Sequence, residues 1–593
     1  MRALLSIFCL AAASASAQPL GVGTFPIGSH FDEKPTVLGK RFMVSAAHPH
    51  AVRAGVEMLK RGGSAVDAAI AVQLVLGLVE PHSSGIGGGA FLMHFEAKSR
   101  AVEAYDGRET APMASDRGLF IEPGGKPMDF RHALVGGRSV GVPGVLRLAE
   151  LAHKKHGRLP WRDLFGPAIR FAEQGYPIGA QLARWLAADD HLKRDPQARA
   201  LYFNEDGSSK PAGSIIRNPA YARLLRDVAR HGADRFYMGE NAMAMVAAVR
   251  AHDTNPGLLT AEDLKIYQAK LRQPLCFVYR EHEICSMPPP SSGGIALAQM
   301  LGMLENTAFA SAAPMSAQAV HLFAEAAKLA FADRNRYVAD TDFTAVPDGL
   351  TDKAYLASRA REIGALASGI ARPGTPPGIK VSRTDDASPE LPSTSHMSIV
   401  DERGNAVSMT TTIETIFGAH MMVNGFILNN QLTDFSFVPE QDGKQVANCV
   451  EPGKRPRSSM SPVLVFKRRE DGTRGPLMLV AGSPGGSVII GFVAKVLVGT
   501  LDWKLPLKHV LELPSFGSRN LGTNGVLELE RNRFPQDVTR ELQAMGHSIV
   551  PLAIDSGVHA IQRICSHGAG GSRSHCVWAG AADPRRDGIA VGR

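Results

Sequence analysis

The chain has 593 residues, of which 44% are hydrophobic and 21% charged, with 60 Gly and 38 Pro. That composition excludes a disordered or collagen-like polypeptide, and the length allows roughly three or four domain-sized units. Lys and Arg outnumber Asp and Glu by 65 to 57, a net charge of +8. No long basic run concentrates the surplus, which argues against nucleic acid as a partner.

In chain order, Arg2, the apolar stretch Ala3 to Ala13 and Ala15-Ser16-Ala17 before Gln18 follow the order of a secretory signal. They predict residues 1–17 as a removed leader and a periplasmic or secreted mature chain. The apolar run is shorter than the ~20 residues that a membrane span needs, and the later stretch Ser487 to Leu501 contains Lys495, so no span is expected. Residues 45–80 read as helix, with Val52, Val56, Leu59 and then Ala65 to Leu76 at helical spacing. Gly85-Ile86-Gly87-Gly88-Gly89-Ala90 has the spacing of a dinucleotide fingerprint. A helix rather than a strand precedes it, so a nucleotide site is not expected. Further helices are predicted near 143–156, 163–174, 218–231, 239–252 and 316–337. Met287 to Gly294 reads as a stiff turn leading into a helix near Ile295.

Cys9 lies in the leader, which leaves five cysteines. A two-residue turn at Arg280-Glu281 would set Cys276 opposite Cys285 in a non-hydrogen-bonded pair, where side chains come closest. Cys565 and Cys576 bracket a Gly/Ser-rich loop that a disulfide could close, and Cys449 is left as a free thiol. Reduced thiols throughout are the alternative. The Cys and His spacings match no zinc pattern, and no metal or other cofactor is expected.

From Arg372 to Ser393 the composition turns to Pro, Gly, Ser, Thr and Asp, which predicts a solvated, flexible connector. Strands are predicted at Ser395 to Asp401 and Ala406 to Ile413, around a turn at Glu402 to Asn405. The chain thus reads as a helix-rich block, about 18–380, and a strand-rich block, 394–593, without internal repeats.

Thr394 sits where the connector meets the first of these strands. A threonine hydroxyl is a weak nucleophile that needs an adjacent base, and one such base is the residue's own α-amine, freed by cutting the preceding peptide bond. A free α-amine has a pKa of roughly 7.7–8.0, so a useful fraction is neutral near pH 7. A turn centred on Arg403 sets residue 394 opposite Thr412, with Cβ atoms about 5 Å apart. An ordinary Thr-rich strand, Thr410 to Thr412, would look the same.

Longer motifs separate these readings. Thr394-Ser395-His396-Met397-Ser398-Ile399-Val400-Asp401 resembles the start of the small subunit of the γ-glutamyltranspeptidases, or glutathione hydrolases. So do Leu428 to Phe435 (LNNQLTDF), Lys454 to Pro462 (KRPRSSMSP) and Gly482 to Ser487 (GSPGGS). Gly85 to Phe91, Asp106-Gly107-Arg108-Glu109 and Met287 to Gly294 also look like that family, and the likeness runs in order from about residue 40 to 593.

The resemblance implies an α/β (α+β) N-terminal-nucleophile hydrolase, a four-layer αββα sandwich formed by two chains from one precursor. Cleavage between Ser393 and Thr394 would give a large subunit, 18–393, and a small catalytic subunit, 394–593. Thr394 would take the γ-glutamyl group of glutathione or a related compound as an ester and pass it to water, an amino acid or a peptide. In the family frame Thr412 orients Thr394, and the Gly485 and Gly486 N–H groups form an oxyanion hole, where one donor contributes about 3 kcal/mol. Arg108 holds the substrate's α-carboxylate, with Ser458 and Ser459 beside it, while Gln431 and Asp434 receive its α-ammonium. Glu414 stands where some relatives have Asn, and can still bind an ammonium group. The segment 435–453, which corresponds to a lid in some relatives, contains no Tyr to latch it. His48, His50 and His396 are expected to be structural. The alternatives are a cephalosporin (glutaryl) acylase of the same superfamily, or a silent binding protein that never cleaves.

Overall fold

The computed structural model describes residues 31–593, apart from 387, 392, 523, 554–556 and 567–574. The expected leader, 1–17, lies outside the described residues. The fold is mixed α/β, built on two seven-stranded antiparallel sheets. The first runs Ile589–Gly592, Met43–Ala46, Ser395–Val400, Ala406–Thr412, Gly89–Glu96, Ala101–Gly107, Lys270–Arg272. The second runs Val37–Gly39, His575–Ala582, His559–Ser566, Arg474–Gly482, Val463–Arg468, His282–Ser286, Leu275–Tyr279.

The residues before 394 hold most of the helices and those after it most of the strands, as expected, yet each sheet takes strands from both sides of residue 394. The strand Gly89–Glu96 is buried along nearly its whole length. It therefore lacks the polar alternation that marks a strand with one wet face.

Alternate residues of the first sheet enter two cores. Leu92, Met397, Ile399 and Met409 pack with the helices Pro49–Lys60 and Ala65–Val79. Phe91, Met93 and Phe95 join Leu464, Phe466 and Val480 of the second sheet, with the helices Gly293–Leu304, Ala317–Tyr337 and Ile489–Leu501. Between the sheets, the hydroxyls of Ser45, Ser398 and Ser408 donate to the carbonyls of Ala581, His559 and Ala481 at 2.8–2.9 Å. Every one of these buried hydroxyls is thereby satisfied.

The helix expected over 45–80 is two helices, Pro49–Lys60 and Ala65–Val79, behind a strand that ends at Ala46. Gly62 takes φ +85°, and Ser64 restarts the chain with a capping box to Asp67. The helices expected near 143–156, 218–231 and 316–337 run Val145–His156, Pro219–His231 and Ala317–Tyr337. Those expected near 163–174 and 239–252 are shorter, Gly166–Gln174 and Glu240–Arg250. Cys276 pairs with Cys285 across the hairpin and is bridged to it, as is Cys565 to Cys576, with Cα separations of 4.0 Å in both. Cys449 is free and buried. Arg593 exchanges backbone hydrogen bonds with Arg41 and Phe42, at 2.6 and 3.1 Å. No helix among the described residues is long and apolar enough to cross a membrane.

Candidate active site

The site begins in the hairpin of Ser395–Val400 and Ala406–Thr412. Asp401 closes its turn by accepting from the Arg403 and Asn405 N–H groups. The register pairs Ser395 with Thr411 and Met397 with Met409, which carries Thr394 to the level of Thr412. The Thr394 hydroxyl hydrogen-bonds to the carbonyl oxygen of Ser393. Thr412 donates to that same carbonyl at 3.3 Å, while its own oxygen accepts from the Glu414 N–H at 2.8 Å. Ser393 is held by a hydrogen bond from its hydroxyl to the His82 carbonyl, at 2.8 Å, and the Thr394 carbonyl accepts from Arg586 at 3.0 Å. Ser395 donates to Glu80 at 2.5 Å and lies 3.0 Å from the Ser84 hydroxyl.

The glycine motif at 85–90 serves this hairpin. A Cβ on Gly88 would stand 2.0 Å from the Thr412 carbonyl oxygen, so only glycine lets the segment lie against the strand end. Gly485 and Gly486 follow the strand Arg474–Gly482, which packs on the hairpin. Their φ of +138° and +59° lies in the region that favours glycine. A Cβ on Gly482 would stand 2.3 Å from the His396 ring, so glycine is required there. That ring is buried between Thr410 and Ser398, at 2.9 and 3.1 Å, and burial pushes its pKa down to about 3. It is a neutral, structural histidine. Burial likewise lowers His48 to about 3, and His50 stacks on it.

A second cluster holds the polar residues expected to bind substrate. Arg108, 1% exposed, pairs with Asp434 and donates to the Pro456 and Arg457 carbonyls at 3.2 and 2.8 Å. Gln431 donates to Asp434 at 2.7 Å. Burial, and then the Asp434 charge, raise Glu414 far above the carboxylate range; burial and the Glu390 charge raise Asp434, which Arg108 and the Glu414 hydrogen bond oppose. The two carboxyls therefore hold a proton beside the guanidinium. Glu414 Oε2 and Gln431 Oε1 are buried with no hydrogen-bond partner among the described residues. Asn429 and Asn430 staple this segment, Asn429 to Gly87 and Gly141 and Asn430 to Thr415. Burial pushes neighbouring Glu109 up to about 8 despite Arg108 3.9 Å away.

The connector is solvated only in its first part, with residues 377–382 exposed, and not where it approaches Thr394. Asp386 and Ser393 are buried, and Asp386 pairs with Arg457 at 2.8 Å. Glu390 pairs with Arg334 and accepts from Ser459 at 2.7 Å. Ser459 thus lies against a carboxylate, whereas Ser458 accepts from the Met460 N–H at 3.1 Å. The segment 435–453 is pinned by Phe435 and by Phe437, which stacks on Phe120 at 4.1 Å. Sequence reasoning missed Arg334, Glu390, Arg457 and Arg586. Arg457 lay inside a quoted motif, but no spacing rule joins the other three to residue 394.

Three groups among the described residues have metal-ligand chemistry: His94–Glu103–His156, Cys276–Glu283–Cys285 and His321–Glu325–His547. The sulfurs of the second are bridged, and Glu103 and Glu325 pair with Lys155 and Lys328.

A sequence model of the Gamma-glutamyltranspeptidase family matches residues 51–593. The chain belongs to the gamma-glutamyltranspeptidase family. It is 33% identical over 577 residues to the glutathione hydrolase proenzyme of Bacillus subtilis (strain 168), covering 96% of this chain and 94% of that one. To the glutathione hydrolase proenzyme of Escherichia coli (strain K12) it is 36% identical over 560 residues, 92% of each chain. Among solved structures, cephalosporin acylase from Bacillus halodurans is similar with a TM-score of 0.79 and 27% identity, over 97% of this chain and 99% of that one. As a member of the gamma-glutamyltranspeptidase family, the chain is an enzyme that hydrolyses and transfers γ-glutamyl groups.

Proposed function

We propose that the protein is an exported, self-cleaving γ-glutamyl hydrolase and transferase that acts on glutathione and related compounds through Thr394. The observation that carries this reading is the Ser393 carbonyl, which receives the hydroxyls of both Thr394 and Thr412. Thr412 polarises the carbonyl, and the Thr394 oxygen adds to its carbon. The C–N bond breaks, the nitrogen takes the hydroxyl proton, and an ester joins Ser393 to the Thr394 oxygen. Water then hydrolyses the ester, leaving a Ser393 carboxylate and a Thr394 that carries both a free amine and a free hydroxyl. Residues 18–393 and 394–593 become the two chains of one four-layer αββα sandwich, a reading supported by the two sheets with helices packed on each.

In the cleaved enzyme the Thr394 amine accepts the hydroxyl proton as the oxygen attacks the γ-glutamyl carbonyl. The Gly485 and Gly486 N–H groups receive the developing oxyanion, and the protonated amine passes its proton to the leaving nitrogen. Water or an acceptor amine takes the acyl group. An α-ammonium entering the pocket would meet Asp434, the unpartnered Gln431 Oε1 and Glu414 Oε2, and would replace the proton that the two carboxyls share. A glutaryl group lacks that ammonium and would leave these acceptors buried and unmatched. This favours γ-glutamyl over glutaryl substrates, despite the likeness to an acylase structure.

The test is sequencing of the small chain, which must begin Thr-Ser-His-Met. Thr394→Ala must give one full-length band and no turnover of γ-glutamyl-p-nitroanilide. An active Thr394→Ala variant would end the proposal.

A further inference from the structure

The carboxylate of Glu390, four residues before Thr394, stands inside the polar cluster rather than in solvent. It pairs with Arg334 and accepts from the Ser459 hydroxyl at 2.7 Å, and Arg457 lies 3.4 Å away. Arg334 also donates to Ser459, at 2.7 Å, and to Ser292, at 2.8 Å, which fixes its guanidinium. The Arg334, Arg457 and Glu390 side chains are 3%, 1% and 8% exposed. Arg457 keeps Nε and Nη1 buried with no hydrogen-bond partner among the described residues. Burial disfavours the Glu390 anion, but Arg334 and Arg457 hold its pKa down at about 2. Arg108, which pairs with Asp434, donates to the Arg457 carbonyl at 2.8 Å, so this cluster adjoins the ammonium-binding side.

Arg457 also faces Asp386 at 2.8 Å, but Glu390 is the anion that Arg334 pairs with, and a buried guanidinium is costly unless an anion faces it. In the uncut chain that anion belongs to the connector. Once the bond after Ser393 is broken, the segment that carries Glu390 is tethered from one side only.

We propose that Arg334, Arg457 and Ser459 form a carboxylate subsite of the γ-glutamyl pocket, and that the uncleaved chain fills it with its own Glu390. The proposal rests on the γ-glutamyl reading above for the pocket's identity. Its ligand is a substrate carboxylate. Either the glutamyl head or the departing peptide supplies one, and both are present in glutathione.

The experiment uses the full-length Thr394→Ala protein, which is uncut by design, so no turnover is needed. Binding of L-glutamate and of glutathione is measured by calorimetry in Thr394→Ala alone and combined with Glu390→Gln. Combination with Glu390→Ala covers the case in which glutamine still occupies the arginines, and thermal melting confirms folding of each. Freeing the subsite is expected to tighten binding at least tenfold, and adding Arg334→Gln is expected to abolish the gain. Tightening for both probes assigns the glutamyl head, and tightening for glutathione alone assigns the departing peptide. Equal binding with and without Glu390 overturns the proposal, as does a gain that survives Arg334→Gln. Failure of wild-type protein to be cut before Thr394 would instead overturn the function proposed above, and is read on a different protein.

Discussion

Thr412 acts through one hydroxyl, which accepts from the Glu414 N–H and donates to the Ser393 carbonyl. Thr412→Val keeps the shape and removes the donor. One hydrogen bond contributes about 0.5–1.5 kcal/mol, so self-cleavage should slow by roughly 2- to 13-fold, with Thr412→Ser near wild type. The measurement is the decay of the full-length band with time, and unchanged decay in Thr412→Val would remove Thr412 from the mechanism. Asp434 carries the substrate prediction. Asp434→Asn leaves a γ-glutamyl ammonium without its counter-charge, so KM for γ-glutamyl-p-nitroanilide should rise at least tenfold. A glutaryl anilide should not be turned over any worse, and a parallel loss on both substrates would assign Asp434 to packing instead. At this scale the sequence was readable where residues sit in one hairpin, since the turn at Asp401 to Asn405 alone sets 394 against 412. Arg334 and Arg586 were not readable, because long helical or loop segments separate them from Thr394 and only tertiary packing brings them in.

At the scale of elements, the turn at Gly485-Gly486 has no substitute residue. Its first glycine combines φ +138° with Phe492 2.9 Å from any added Cβ. Gly485→Ala should move the N–H donors and cost roughly 10²–10³ in kcat, the size seen when one oxyanion donor is removed. Steady-state kinetics on correctly cleaved protein, with KM little changed, would confirm it, and wild-type kcat would refute it. The same turn chemistry explains what the sequence concealed between residues 45 and 80. The apolar spacing continues through the break, whereas Gly62, Gly63 and Ser64 interrupt the backbone without interrupting the pattern. The connector failed in the opposite direction. Its Pro, Ser and Asp content is that of a solvated tether, yet Asp386 and Glu390 are neutralised by arginines that its composition cannot reveal.

For the whole molecule, burial sets the response to acid. It holds His48, His94 and His396 at about 3 and His547 at about 4, and drives His82 and His559 well below 6.5. Between those values and 6.5 the unfolded chain binds more protons than the folded one, so stability present above pH 6.5 is lost as pH falls. Glu109, pushed up to about 8, opposes this between about pH 8 and 4.5, and Glu414 and Asp434, also raised, act in the same direction. The opposition fades as pH falls through 4.5 and 3.8, the unfolded values of Glu and Asp, so the loss should steepen there. Calorimetric scans from pH 7 to pH 4 should show a falling Tm, and a flat profile would contradict the neutral histidines. The interleaving of the two sheets was not legible from composition, because Met43–Ala46 and Gly89–Glu96, which flank the hairpin of Thr394, are short or buried almost throughout and carry no polar alternation.

The pairing of Arg593 with Arg41 and Phe42 suggests one more use of this architecture. Arg593 is hydrogen-bonded to Arg41 and Phe42 along the strand edge, while the bond before Thr394 lies in the interior. A circular permutant that joins position 593 to the stretch before Arg41, and starts translation so that Thr394 follows the excised initiator methionine, would carry the nucleophile's amine from synthesis. Such an enzyme would skip the maturation delay altogether, and its folding could be followed directly by the onset of turnover.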